Sequence, residues 1–97
     1  MHNHFPGSES ILAIDILLRT AHSTLSGTPL SIKKLLGTLP FSDVGIRRQV
    51  TLLEKNGWLR ISASKKDRRI RILSAENKLL QLLSQYEAFC SAIAYKA

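Results

Sequence analysis

The stretch that decides the fold is SDVGIRRQVTLLEKNGWLRISASKKDRRIRIL, residues 42–73. Ser42 is a good N-cap residue because its hydroxyl can accept a hydrogen bond from a free backbone N–H two or three residues later. Asp43 in the first turn suits the positive end of the helix dipole, and Gly57 supplies the left-handed residue that ends many helices. These signals predict a helix over 43–55 that stops at the glycine.

The predicted helix is amphipathic. At about 100° per residue, Ile46, Val50 and Leu53 fall on one stripe. The opposite face carries cationic or short side chains, namely Val44, Arg47, Arg48, Thr51 and Lys55. We expect the first face to pack inward and the second to present groups suited to reading base edges in a DNA major groove.

After Gly57 the periodicity changes from that of a helix to that of a strand. Two runs, 60–64 and 69–73, alternate between apolar and polar residues, and the apolar positions of this alternation are Ile61, Ala63, Ile70 and Ile72. Between the runs lies a basic tip, KKDRR at 65–69. A helix followed directly by such a ribbon predicts a winged helix-turn-helix, a mainly α fold with a small β-hairpin wing (α+β) over residues 60–72.

The placement of charge supports this interpretation. The chain has 97 residues, enough for one domain, and a formal net charge of +7. Residues 58–73 carry six Lys/Arg and one Asp/Glu, and so contribute +5 of that total. A solvated surface spreads its charge, whereas a phosphate-binding surface concentrates it.

Several classes of protein are disfavoured. The single cysteine excludes an intramolecular disulfide and favours a reducing cytoplasm, where we expect the protein to act. No apolar run approaches the roughly 18 residues that span a bilayer, so no membrane association is predicted. The N-terminus lacks the basic region of a signal peptide. No His or carboxylate cluster is spaced for catalysis, so we predict neither an enzyme nor a cofactor.

The two ends of the chain have distinct predicted roles. Residues 1–7 are expected to be a disordered tail, in which His2 and His4 are tail residues rather than metal ligands. Residues 8–97 form the single domain. Its terminal helices, about 8–26 and 75–95 with Ser74 as the cap of the second, have apolar residues on more than one face. The first is either wholly buried or in contact with a second subunit. Together the two helices imply burial against something outside the monomer, which predicts a two-fold dimer reading a pseudo-palindrome.

Other local features have two interpretations. Leu30 fits a one- or two-residue strand that pairs with the wing, and Ser31 then caps a short helix from Ile32 to about Leu36. Ser31 to Lys34 also matches S-x-x-K, the nucleophile motif of penicillin-recognising enzymes, but its partner motifs S-D-N and K-T-G are missing. The cap is therefore preferred. Cys90 could be a redox sensor, and a buried structural thiol is the preferred alternative.

From residue 30 to residue 86 the chain resembles the winged-helix domain of the MarR family, the multiple-antibiotic-resistance regulators. LEKNGWLR at 53–60 is similar to the family's LEKKGLV-R segment, and DRR at 67–69 matches its wing motif. ILS at 72–74 stands where the family has V-LT before its long C-terminal helix.

The resemblance implies that helix 43–55 enters the major groove and that the terminal helices form the dimer. It also implies that Arg69 enters the minor groove and that Asp67 orients it. Family members are usually longer and have a ligand pocket near the dimer interface, so a small-molecule effector is possible here but no residue pattern supports one. Gly45 departs from the family pattern. It costs about 1 kcal/mol of helix propensity relative to alanine, and it could instead allow close approach to the phosphate backbone.

Each predicted contact has a chemical reason. Arg47 and Arg48 would contact base edges or phosphates, and Val44 and Thr51 would meet a thymine methyl. A further set of residues would bind phosphates, and these contacts would add affinity with little dependence on the DNA sequence. The set is Lys33, Ser42, Lys65, Lys66, Arg68 and Arg69. The predicted function is a dimeric, sequence-specific double-stranded DNA-binding transcriptional regulator. The alternative is a winged helix used for protein–protein contact.

Overall fold

The computed structural model describes the backbone of residues 7–96 and the side chains of residues 11–87. The predicted tail, with His2 and His4, lies outside this part except for Gly7, and so does the Cys90 side chain. Within the described residues the elements are, in chain order, α1 (Gly7–Ser26), β1 (Leu30–Ser31), α2 (Ile32–Thr38), α3 (Asp43–Lys55), β2 (Leu59–Ala63), β3 (Arg71–Ala75) and α4 (Asn77–Lys96).

Helix α3 has the predicted bounds because both of its ends are capped. At its start the Ser42 hydroxyl accepts a hydrogen bond from the Gly45 N–H at 3.1 Å. At its end Gly57 adopts a φ of 82°, and the Trp58 N–H returns to the Leu53 carbonyl at 3.0 Å. A left-handed glycine with this returning bond satisfies carbonyls that the last turn leaves free.

The predicted inner stripe of α3 forms the centre of the core. Ile46, Val50 and Leu53 are each 4% exposed or less. Their cluster draws on the neighbouring helices and strands, through Leu12, Ile16, Leu35, Leu59 and Leu73. Burying a side chain of this size contributes roughly 1.5–3 kcal/mol, so this face fixes α3 in the fold.

A three-stranded antiparallel sheet has the order β1-β3-β2. The predicted short strand at Leu30 is confirmed, and Leu30 and Ile61 both pair with Leu73 of the central strand. The phase predicted for the second wing strand is wrong: Leu73 and Ala75 are its buried residues, and Ile70 lies in the turn before it, 40% exposed. Strand β3 contacts α1, so its buried residues are the ones that face the helices.

The prediction that Ser74 caps the last helix is also wrong. Ser74 lies within β3 in register with Arg60, and α4 begins at Asn77. The sheet extends to Ala75, whose N–H donates to the Thr24 hydroxyl at 2.8 Å. The strand therefore continues past the position where the sequence offers a cap.

Helix α1 has apolar residues on two faces, and only one of them is covered in the single chain. Leu12 and Ile16 are buried in the core. Four large apolar side chains on the other face are each at least half exposed, namely Ile11, Ile14, Leu18 and Leu25. Of the two alternatives stated for this helix, complete burial within the monomer is therefore wrong.

Two negative findings apply to the described part of the chain. None of its helices combines the length and apolarity needed to cross a bilayer. No three His, Cys, Asp or Glu residues there are grouped in a way that could hold a metal ion.

Candidate nucleic-acid interface

The outer face of α3 is open to solvent and positively charged. Val44, near its start, is 78% exposed, and Arg47, Arg48 and Thr51 are exposed as well. The Thr51 hydroxyl donates to the Arg47 carbonyl at 3.0 Å, so its proton is used within the helix and its lone pairs and methyl group stay available.

Gly45 has a structural role at the start of this helix. A Cβ built on it would lie 3.0 Å from the Ser42 hydroxyl oxygen, which is the atom that caps the helix. The glycine therefore leaves room for the cap, which offsets part of the roughly 1 kcal/mol that its low helix propensity costs. The Ser42 hydroxyl accepts one hydrogen bond in this arrangement and can still donate its proton to a phosphate.

The wing tip, residues 64–70, is an ordered loop between β2 and β3. The Ser64 N–H donates to the Ile70 carbonyl at 2.8 Å, and the Ile70 N–H donates to the Asp67 carbonyl at 2.9 Å. The Lys66 N–H donates to the Ser64 hydroxyl at 3.2 Å. The side chains of Lys65, Lys66 and Arg68 are exposed around this loop.

Asp67 holds Arg69 by three hydrogen bonds. Its Oδ1 accepts from the Arg69 backbone N–H at 3.0 Å and from Nε at 3.1 Å, and its Oδ2 accepts from a terminal guanidinium nitrogen at 3.0 Å. These bonds lower the pKa of Asp67 and raise the pKa of Arg69. The Arg69 side chain nevertheless remains 90% exposed. The guanidinium is thus oriented without being covered.

A groove of about 430 Å³ joins α2, α3 and the wing. Three of the predicted site residues line it, Lys33 from α2, Arg47 from α3 and Arg69 from the wing tip. Arg71 of β3 also lines it, and the sequence analysis did not select this residue. The sequence did contain a signal for Arg71. It follows Arg69 by two residues in a run of alternating residues, and side chains two residues apart in an extended chain point to the same side.

The groove has the chemistry of a polyanion site. Four cations line it, and none of the described residues that line it is acidic. The other predicted site residues lie outside the groove, on α3 and its cap (Ser42, Val44, Arg48, Thr51) or on the wing tip (Lys65, Lys66, Arg68). The arrangement therefore brings four cations together in one groove, flanked by the exposed face of α3 and by the cations of the wing tip.

A second cavity, of about 560 Å³, lies between α1 and α2. It is lined by both apolar and charged residues, including Asp15 and Arg19, which form an ion pair at 2.6 Å. None of the residues predicted to bind DNA lines it. The small-molecule effector that the family resemblance left possible is not assigned to this cavity.

The Asp67–Arg69 contact makes a prediction about pH. In a carboxyl NMR titration, we expect Asp67 to have a pKa below the ordinary aspartate range, and Arg69→Ala to raise it. The rise should be partial because the backbone N–H of residue 69 remains. Since the folded pKa is lowered, this contact stabilises the loop above the unfolded pKa and is lost as the pH falls through the folded value.

The control for this titration is Arg68→Ala, which removes a neighbouring charge and leaves the three hydrogen bonds in place. Its Asp67 pKa should stay close to that of the wild type. Equal pKa values in the wild type and in Arg69→Ala would contradict the assignment.

No protein-family model matches the sequence, and no curated protein matches it. Solved structures do. The transcriptional regulator BldR from Sulfolobus solfataricus is 27% identical, with a TM-score of 0.65, over 89% of this chain and 58% of BldR. The heme sensor protein PefR from Streptococcus agalactiae, in complex with heme, is 25% identical, with a TM-score of 0.63, over 94% of this chain and 58% of PefR.

The transcriptional regulator Tm0710 from Thermotoga maritima is 20% identical, with a TM-score of 0.62, over 88% of this chain and 60% of that protein, and shows the fold alone. This chain thus spans less than two thirds of the length of each of these proteins. The likeness confirms the predicted fold class and the predicted resemblance: the chain is a winged helix-turn-helix domain similar to those of MarR-family transcriptional regulators.

Proposed function

We propose that this chain is a cytoplasmic transcriptional regulator that binds double-stranded DNA as a dimer and reads a specific sequence. The observation that carries the proposal is the basic groove, in which Lys33, Arg47, Arg69 and Arg71 come together from three different elements. The similarity of the chain's fold to that of a known transcriptional regulator supports DNA binding as well.

In this proposal α3 lies in the major groove, which is wide enough to admit a helix. Arg48 and Thr51 lie outside the basic groove on the exposed face of α3 and would contact base edges. Val44, almost fully exposed at the start of the helix, would contact a thymine methyl group. Each good bidentate arginine–guanine pair would supply roughly 1–3 kcal/mol of discrimination between sequences.

The wing would lie over the adjacent minor groove and the backbone. Arg69 is exposed and already oriented by Asp67, so little side-chain freedom is lost when it enters a narrow, A·T-rich groove. Lys65, Lys66 and Arg68 would add affinity through phosphates with little dependence on sequence.

Phosphates close to α3 would be held by the groove itself. Lys33 of α2 and Arg71 of β3 line this groove together with Arg47 and Arg69. The Ser42 hydroxyl would donate to a phosphate near the start of α3, next to the amide groups that the helix leaves free. Contacts of this kind fix the register of the protein on the duplex.

DNA binding is tested by fluorescence anisotropy with a labelled generic duplex, over a series of salt concentrations. The wild type should bind near about 50 mM salt and weaken steeply as salt rises. Arg71→Gln and Arg69→Gln should each weaken binding and reduce the slope of log K against log salt by about 0.9, the value for one phosphate contact. Arg71 is the sharper test because the sequence analysis did not select it.

Arg60→Gln is the matched control. Arg60 lies in the neighbouring strand, outside the groove, and forms an ion pair with Glu76 at 3.6 Å. The Arg60→Gln substitution should leave the slope of log K against log salt unchanged. A wild type that does not bind near about 50 mM salt, or an effect of Arg60→Gln equal to that of Arg71→Gln, would contradict the proposal. The domain would then be better explained as a protein-contact module.

The dimer is proposed to form through the terminal helices, with a second copy of the chain as the partner. Ile11, Ile14, Leu18 and Leu25 recur on one face of α1 at spacings of three, four and seven residues. On α4, Leu82 and Tyr86 are 48% and 64% exposed. A face of this kind is typical of a packed helix surface, and a two-fold axis would bury it on both copies.

The charge distribution favours this partner. Most of the excess positive charge lies in residues 58–73, on the wing. Residues 8–26 carry two acidic residues and one basic residue. Each α1 thus carries a net charge of only −1, against +5 for residues 58–73, so contact through α1 brings little like charge together and leaves both wings free for DNA.

Sedimentation velocity tests the dimer. The wild type should sediment at twice the chain mass of 10.8 kDa, and Ile14→Glu should sediment as a monomer because it places a charge within the apolar face. Leu52→Glu, which introduces the same charge at a partly exposed leucine of α3, should remain a dimer. A monomeric wild type at tens of micromolar, or a dimeric Ile14→Glu, would rule out this interface.

A further inference from the structure

The junction between β3 and α4 is hydrogen-bonded to the residues that end the recognition helix α3. The Glu76 N–H, just before α4, donates to the Trp58 carbonyl at 3.1 Å. Lys78, in the first turn of α4, donates from Nζ to the Asn56 carbonyl at 2.8 Å. The same Nζ lies 4.0 Å from the centroid of the Trp58 ring.

Asn56 is the residue that caps the C-terminus of α3. The carbonyl groups at a helix C-terminus have no partner within the helix and carry the negative end of its dipole. The Lys78 ammonium supplies both a hydrogen-bond donor and a positive charge at this point. It thereby bridges two elements that are 22 residues apart in sequence.

The position of Lys78 is unfavourable for its own helix. A cation in the first turn faces the positive end of the α4 dipole, and the acidic residue at this end, Glu76, precedes the helix and pairs with Arg60 at 3.6 Å. Its favourable contacts are all with the end of α3. The position of this lysine is therefore explained by α3 rather than by α4.

Lys78 is also far from the basic groove. At a rise of about 1.5 Å per residue, the Asn56 carbonyl lies about 14 Å along the helix axis from Arg47. Lys78 is not among the residues that line the groove. On the other side of the junction, the Ala75 N–H is held by Thr24 of α1. The junction therefore contacts the recognition helix on one side and the terminal helix α1 on the other.

We infer that Lys78 is a positioning residue that holds the C-terminal end of α3 against the β3–α4 junction, and so refines how α3, already packed through its buried face, meets DNA. This inference rests on the proposed DNA binding for its functional part. Its structural part, the contact of Lys78 with Asn56 and Trp58 (the fastening), does not depend on DNA binding. Removing the contact should leave every phosphate contact available but require the C-terminal end of α3 to be ordered when DNA binds.

The test compares Lys78→Met, which keeps an unbranched apolar stem over Trp58, with Lys78→Arg, which can still donate to a carbonyl and stack on a ring. The matched control is Lys55→Met, which removes a positive charge from the last turn of α3 without touching the Lys78 contact. Trp58 is the single tryptophan of the chain, so its fluorescence reports directly on this contact.

Without DNA, Lys78→Met should shift the Trp58 emission and make the Asn56, Gly57 and Trp58 amides exchange about three- to tenfold faster. Lys78→Arg should resemble the wild type, and so should Lys55→Met. If Lys78→Met leaves emission and exchange as they are in Lys55→Met, the fastening is refuted, whatever the protein does with DNA.

With the labelled generic duplex, Lys78→Met should weaken binding about three- to tenfold at each salt concentration, with the wild-type salt slope, and Lys78→Arg should restore affinity. A slope reduced by about 0.9 would instead make Lys78 a phosphate contact and overturn the positioning role. Unchanged affinity would overturn it as well. If the wild type does not bind the duplex, the proposed function fails, and fluorescence and exchange still decide the fastening.

Discussion

The burial of one face of α3 is the constraint on which the other features depend. Ile46 and Val50 are almost fully inaccessible to solvent, and they hold the helix against α1, α2 and the sheet. With that face fixed, the rotation of the helix is fixed, so Arg47 and Arg48 must point away from the core. The same packing brings the wing strands beside α2 and creates the basic groove.

Much of this could be predicted from the sequence because the signals are local. Ser42 and Gly57 define the ends of α3 through caps that involve only neighbouring residues, and the stripe at 46, 50 and 53 is a helical period. The DRR segment at 67–69 likewise places an acid and an arginine close enough to bond within one turn. The fold class followed from these elements in their order.

The errors arose where distant residues decide the outcome. Ser74 looks like a cap, but pairing with Arg60 of β2 and the bond from Ala75 to Thr24 keep the chain extended there. Burial in β3 alternates, but contact with α1 sets which residues of the alternation are buried, so Leu73 and Ala75 face the core and Ile70 does not. Lys78 was missed for the same reason, since its partners Asn56 and Trp58 lie 20 or more residues away in sequence.

The most direct test of the central claim is an amide NMR titration of the labelled protein with a DNA duplex at low salt. We expect the largest shifts in 31–36, 42–51 and 64–71, the segments that form the basic groove, the exposed face of α3 and the wing. Residues 11–25 of α1 should shift little. Shifts confined to α1 and α4, or no shifts at all, would contradict a DNA-binding face made of the recognition helix and the wing.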